Sequence, residues 1–103
     1  MPRFDLYRNP NPRASHALYL DVQSDLVSTS TRWCVPMALA SGIDAPVMAG
    51  AQVVITVDGQ AWLLDTPNIL AVPATLLRAR HGRLSSNDQL RVEAALDFML
   101  RGY

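Results

Sequence analysis

The chain has 103 residues, half of them hydrophobic and 17% charged, with no net charge. That length and balance fit one domain spanning residues 1–103 with a modest core, and they exclude a disordered chain. Zero net charge removes any overall pull toward nucleic acid or an anionic membrane, and no run approaches the roughly 20 apolar residues of a membrane span. All nine basic residues are arginines, so every strong cation carries a planar fork of donors. Cys34 is the single cysteine, which forbids an internal disulfide and suits a cytoplasmic protein. Its neighbours Trp33 and Val35 are apolar, so it reads as a small core residue. The N-terminal stretch MPRFDLYRNPNPR lacks the apolar run of a signal peptide.

In chain order, residues 3–8 alternate polar and apolar, the pattern of a half-buried strand. NPNPR at 9–13 breaks it with two prolines and reads as a surface loop. ALYLDV at 17–22 is a second strand, with Asp21 the one acid in a run that otherwise favours burial. Gln23, Ser24 and Asp25 end that strand. Leu26 and Val27 then precede the polar run STST.

Residues 32–39 form a third strand interrupted at Pro36, which lacks a ladder donor and so predicts an edge or a bulge. Gly42, Asp44 and Pro46 supply turn chemistry in 41–46. The strongest local signal spans 52–65. Two apolar runs flank Asp58-Gly59, the signature of a tight hairpin, and Trp62 on the return strand anchors the core. Thr66-Pro67-Asn68 is a turn, residues 69–72 a short strand stopped by Pro73, and RARHGR at 78–83 an exposed basic loop.

Ser85 or Ser86 caps a closing helix, with Ser86, Asn87, Asp88 and Gln89 matching a capping box. Val92, Ala95, Leu96 and Met99 recur at helical spacing and define its buried stripe. Glu93, Asp97 and Arg101 lie on another line, with Asp97 and Arg101 at the spacing of a helical ion pair. Five or six short strands with brief connections and one terminal helix predict a mainly β fold. Its form is a small curled, mostly antiparallel barrel with the helix packed against it.

Catalytic chemistry is sparse. His16 and His81 have no second histidine or cysteine at ligand spacing, so the sequence calls for no metal and no cofactor. The one arrangement suited to metal-free phosphodiester cleavage is Arg32 beside Thr29 and Thr31. RARHGR is a second place where a phosphate could bind.

Four stretches taken together resemble the CcdB family of bacterial toxins. They are LYLDVQSDLV at 18–27, CVPM at 34–37, VVITVDGQAWLLDT at 53–66 and LAVPATLL at 70–77. The likeness runs from Phe4 to the final Gly102-Tyr103, with DVQSD its most distinctive part. The resemblance implies an SH3-like antiparallel β-barrel of the CcdB/Kid/MazF kind with a long C-terminal helix, assembled as a homodimer. It implies a toxin with no catalysis of its own, which binds the A subunit of DNA gyrase, traps cleaved DNA and is released by a cognate CcdA-like antitoxin. No sequence-specific nucleic-acid contact and no membrane role are implied.

The implied gyrase-binding residues are Leu26, Val27, Asp97, Arg101, Gly102 and Tyr103. Leu26 and Val27 stand at the family's aliphatic pair. Gly102 matches the glycine of a Trp-Gly-Ile tip, while Arg101 replaces its tryptophan and Tyr103 its aliphatic end. Asp97 replaces an asparagine, and RARHGR stands where the family carries an acidic loop. That reversal predicts an antitoxin segment with acidic residues. Two other readings stay open on the residues alone: a Kid/MazF-like endoribonuclease toxin, and a CcdB homologue that has lost gyrase poisoning through Arg101.

Overall fold

The computed structural model describes residues 2–42 and 48–102. Its strands are β1 (Asp5–Arg8), β2 (Leu18–Asp21), β3 (Thr31–Leu39), β4 (Gln52–Val57), β5 (Gln60–Asp65), β6 (Leu70–Pro73) and β7 (Arg80–Arg83), followed by helix α1 (Ser86–Arg101). Strand order is β4-β5-β3-β2-β1-β7, with β6 also on β3, and every pairing is antiparallel. The protein is mainly β, a curled half-barrel sheet with one C-terminal helix. The outer strands approach each other where His81 of β7 meets Asp58 at the tip of the β4–β5 hairpin, 2.9 Å from Nε2 to Oδ2.

Pro36 sits neither at an edge nor in a bulge, because β3 is the most heavily paired strand of the sheet. On one side it runs along β2 without a register break. On the other, β6 takes Thr31 to Cys34 and β5 takes Met37 to Leu39. Val22 N–H donates to Trp33 O, so alternation along the antiparallel ladder makes Tyr19 and Pro36 a non-hydrogen-bonded pair. The proline nitrogen therefore faces the junction between β6 and β5, where no ladder donor is required.

The predicted hairpin forms as read. Asp58 and Gly59 both take positive φ, +51° and +78°, the two-residue turn that follows strand twist. Ala40–Gly42 forms a short 3-10 turn, and Asp44 and Pro46 lie outside the described residues. RARHGR is not wholly a loop. Its last four residues are β7, paired with β1 across a register shift between Leu6 and Tyr7.

The sheet buries both faces. Leu6, Leu20, Val35, Met37 and Leu64 point to one face, where Val92 and Ala95 of the helix close the main core. Tyr7, Cys34, Val72 and Leu77 form a second cluster on the other face, beneath β6 and the turn after it. This second layer explains why β1 buries Asp5 and Tyr7 as well as Leu6, where simple alternation predicts only one wet face. The helix cap is Ser85, whose hydroxyl accepts from Asp88 N–H at 3.2 Å. The helical stripe is buried at Val92 and Ala95 and half-buried at Leu96, but Met99 is exposed at the open cleft between helix and sheet.

Candidate functional site

The DVQSD stretch builds a hydrogen-bonded platform at the end of β2. Asp21 is wholly buried and accepts a two-pronged bond from Arg32, Nε to Oδ2 at 2.8 Å and Nη2 to Oδ1 at 3.1 Å. The same carboxylate receives Gln23 N–H, and Arg32 Nη2 also reaches Gln23 O. The buried Gln23 amide then crosses the loop. Its nitrogen donates to Val27 O at 2.9 Å and Thr29 Oγ1 at 3.3 Å, and its oxygen accepts Trp33 N–H at 3.0 Å. Ser24 completes the turn, its hydroxyl accepting Leu26 N–H and its carbonyl accepting Val27 N–H. The outcome is a pinned loop that holds Leu26 at 96% exposure, with Val27 half out.

Arg3 joins this loop to the helix. Its backbone N–H donates to Asp25 at 2.8 Å, its Nε to Val22 O at 2.9 Å, and its Nη1 lies 3.5 Å from Glu93 of α1. Arg3 also stacks over Phe4, its guanidinium carbon 4.6 Å from the ring centroid.

The helix ends where Gly102 adopts a left-handed φ of +83° and donates its N–H to Phe98 O at 2.8 Å. A side chain disfavours that conformation, so glycine is the natural stop. Arg101 is the last helical residue and is exposed, where a cation suits the negative helix end. Among the described residues no ion pair joins it to Asp97, so the helical pairing expected from spacing is not made. Tyr103 lies outside the described residues.

Between the helix and the sheet lies a cleft of about 420 Å³, with Val22, Trp33 and Ile69 on one wall and Leu96, Asp97 and Leu100 on the other. A second hollow of about 430 Å³ shares Val22 and Trp33 and runs under Val27 and Thr29. Trp33, 56% exposed, is the partition between them. The structure thus brings Val27 and Asp97 onto adjoining hollows, while Leu26, Arg101 and Gly102 border neither. Sequence reasoning passed over Trp33, Arg3 and Gln23. Trp33 stands in an apolar triplet that suggests burial, and the side chains of the other two bond mainly to distant backbone atoms, which leave no pattern in side-chain chemistry.

Other polar groups tie strands and turns together. Arg80 and Arg83 both bond the buried Asp5. Burial pushes the Asp5 carboxyl up, but the bonds and charges of Arg80 and Arg83 outweigh it and hold the pKa below the usual carboxylate value. Arg78 donates to Thr75 O. The arrangement considered for phosphodiester cleavage is not assembled. Arg32 is buried on Asp21, and the Thr29 hydroxyl donates to Thr31 O at 2.6 Å. Cys34 is fully buried, and burial, then the charge of Asp21, push its thiol up to about 12. No helix among the described residues is long and apolar enough to cross a membrane.

A search of the curated proteins finds no match to the chain. The family model described as CcdB protein matches residues 3–102, which takes in the DVQSD platform, the Asp-Gly hairpin and the terminal helix. With nearly the whole chain matched and the half-barrel and helix in place, the protein belongs to the CcdB family of toxin–antitoxin toxins.

Proposed function

We propose that this toxin acts in the cytoplasm as a homodimer that binds the A subunit of DNA gyrase and poisons it, with a cognate antitoxin as its release factor. The observation that carries the reading is Leu26, an almost fully exposed leucine on a loop fixed by hydrogen bonds from the buried Gln23 side chain. A large apolar side chain held out by a rigid frame is suited to docking, because little ordering entropy remains to be lost on binding. Val27, Asp97, Arg101, Gly102 and Tyr103 complete the contact surface in this reading. The mode of action is non-catalytic: the toxin favours one conformational state of gyrase by binding it more tightly than the others.

The antitoxin would present acidic residues. Arg8, Arg13 and Arg78 are exposed, and Arg80 and Arg83, exposed as well, are already paired with Asp5. The basic character available to a partner therefore comes from Arg8 at the end of β1 and Arg13 in the loop after it as much as from RARHGR itself. One further reading has an observation behind it. Arg101 at the helix end offers a fork of donors where a tryptophan would offer apolar area, and a toxin so altered would have lost the usual gyrase.

The test uses purified protein, gyrase and supercoiled plasmid. Accumulation of linear DNA after detergent and protease treatment is expected, with no fragmentation of RNA in a gyrase-free control. RNA cleavage would overturn the reading in favour of an endoribonuclease. Absence of both activities, restored for gyrase by Arg101→Trp, would identify the altered homologue. Removing Gly102 and Tyr103 is expected to abolish DNA cleavage while leaving folding intact.

A further inference from the structure

We propose that Gln23 is a positioning residue that sets the Leu26 and Val27 loop for docking. Its functional arm rests on the gyrase reading; its structural arm does not. Three facts converge on it. The β2–β3 ladder is incomplete at its last rung: Val22 N–H donates to Trp33 O, but Val22 O accepts from Arg3 and Trp33 N–H donates elsewhere. Gln23 supplies that acceptor from its side-chain oxygen. The same amide group then turns its nitrogen to Val27 O, so one buried side chain locks the strand end to the loop that follows it.

The donor and acceptor roles are fixed by the partners. Trp33 N–H can only donate, so the side-chain oxygen of Gln23 must face it. Val27 O can only accept, and the Thr29 hydroxyl proton is already committed to Thr31 O. The amide nitrogen therefore faces two acceptors. Glutamine is the residue whose length and two-sided chemistry meet both demands. Glutamate keeps the acceptor for Trp33 and loses the donor to Val27. Methionine, of similar length, loses both.

These two variants separate the roles. In full-length Gln23→Glu, the amide exchange rate of Trp33 is expected within about twofold of wild type, while the backbone order parameters of residues 25–28 drop below about 0.6. In Gln23→Met, Trp33 exchange also rises by about tenfold, the loss of one net hydrogen bond. Both variants are expected to need about tenfold more protein for half-maximal gyrase-dependent DNA cleavage, since the exposed leucine must then be ordered on binding. Thermal melting run alongside identifies the temperature at which each variant is fully folded, and all readouts are taken below it.

Order parameters near 0.85 at residues 25–28 in both variants would overturn the proposal, as rigid backbone has that value without the glutamine. A loosened loop with undiminished DNA cleavage would also overturn it, provided Leu26→Asp abolishes cleavage. Should Leu26→Asp leave cleavage untouched, the gyrase reading of this loop is what fails. The order parameters alone then decide whether Gln23 positions it.

Discussion

Asp5 and Arg80 lie 75 positions apart and meet in a two-pronged bond, Nε to Oδ2 at 3.0 Å and Nη2 to Oδ1 at 3.3 Å. Arg83 adds a third bond to the same buried carboxylate. The pair fastens β7 to β1, and β7 delivers the chain to the start of the helix. Its net effect lowers the folded pKa of Asp5, so the stabilisation is fully present above the unfolded value of about 3.9 and is lost as pH falls through the folded value. Asp65 has the same sign: burial raises its pKa, and bonds from Asn68, Gln52 and His16 outweigh that. Urea midpoints are expected to drop steeply below about pH 4. The drop should be shallower in Asp5→Asn and shallower still when Asp65→Asn is added. An unchanged acid limb in the double variant would show that neither carboxylate governs it.

Arg32 is predicted to be a stability residue. Arg32→Met leaves the buried Asp21 carboxylate without its main partner, a change expected to cost about 3–5 kcal/mol. Adding Asp21→Leu removes the stranded charge and should recover a large part of that loss. Chemical denaturation of the two variants decides the point. A loss below about 1 kcal/mol for Arg32→Met would mean that water replaces the guanidinium.

Cys34 is predicted to be inert in the folded state. It has no exposed surface, and its thiol is held near pKa 12 by burial and the nearby Asp21. A disulfide reagent at neutral pH should react at the rate of unfolding, far more slowly than with the denatured chain. Immediate labelling of native protein would disprove the burial.

The parts of the fold legible in the sequence are those whose causes are local. The 52–65 hairpin was readable because Asp58-Gly59 specifies a turn by its own backbone preference, and the helix because Ser85, Val92 and Ala95 act within one segment. RARHGR was opaque for the opposite reason. Its charge suggested solvent, and only the distant Asp5 makes a strand of it energetically sensible. Pro36 misleads when one strand is read alone, because the gap that accommodates it lies between two other strands. At the candidate site, Leu26 and Val27 were visible as residues. The frame that holds them was not, since Gln23 works through the carbonyl of Val27 and the amide of Trp33.

Arg101 is predicted to be neutral for folding and decisive for partner choice. It is exposed at the helix end, so Arg101→Trp should change stability by no more than about 0.5 kcal/mol. The dose for gyrase-dependent DNA cleavage should shift by about tenfold or more, the scale of an interface anchor. A variant with equal stability and an equal dose would exclude this position from the contact.

Gly50 is predicted to set how the helix end is seated. It has φ +86°, and a Cβ added there would lie 3.0 Å from Cδ2 and Cε2 of Phe98. Phe98 is also the residue whose carbonyl accepts Gly102 N–H at the helix stop. Two costs therefore meet in Gly50→Ala: about 1–2 kcal/mol for a side chain in left-handed backbone, and a displacement of the aromatic ring. The ring is partly exposed and can swing aside, so the second cost should be the smaller, giving a total of about 1.5–3 kcal/mol. Phe98→Leu opens the space beside Gly50 and should remove only the second cost. A double-mutant cycle on denaturation midpoints is then expected to show a favourable coupling of about 0.5–1 kcal/mol. Strict additivity would mean that the glycine is required by its backbone alone and that the 48–52 turn does not set the position of the helix end.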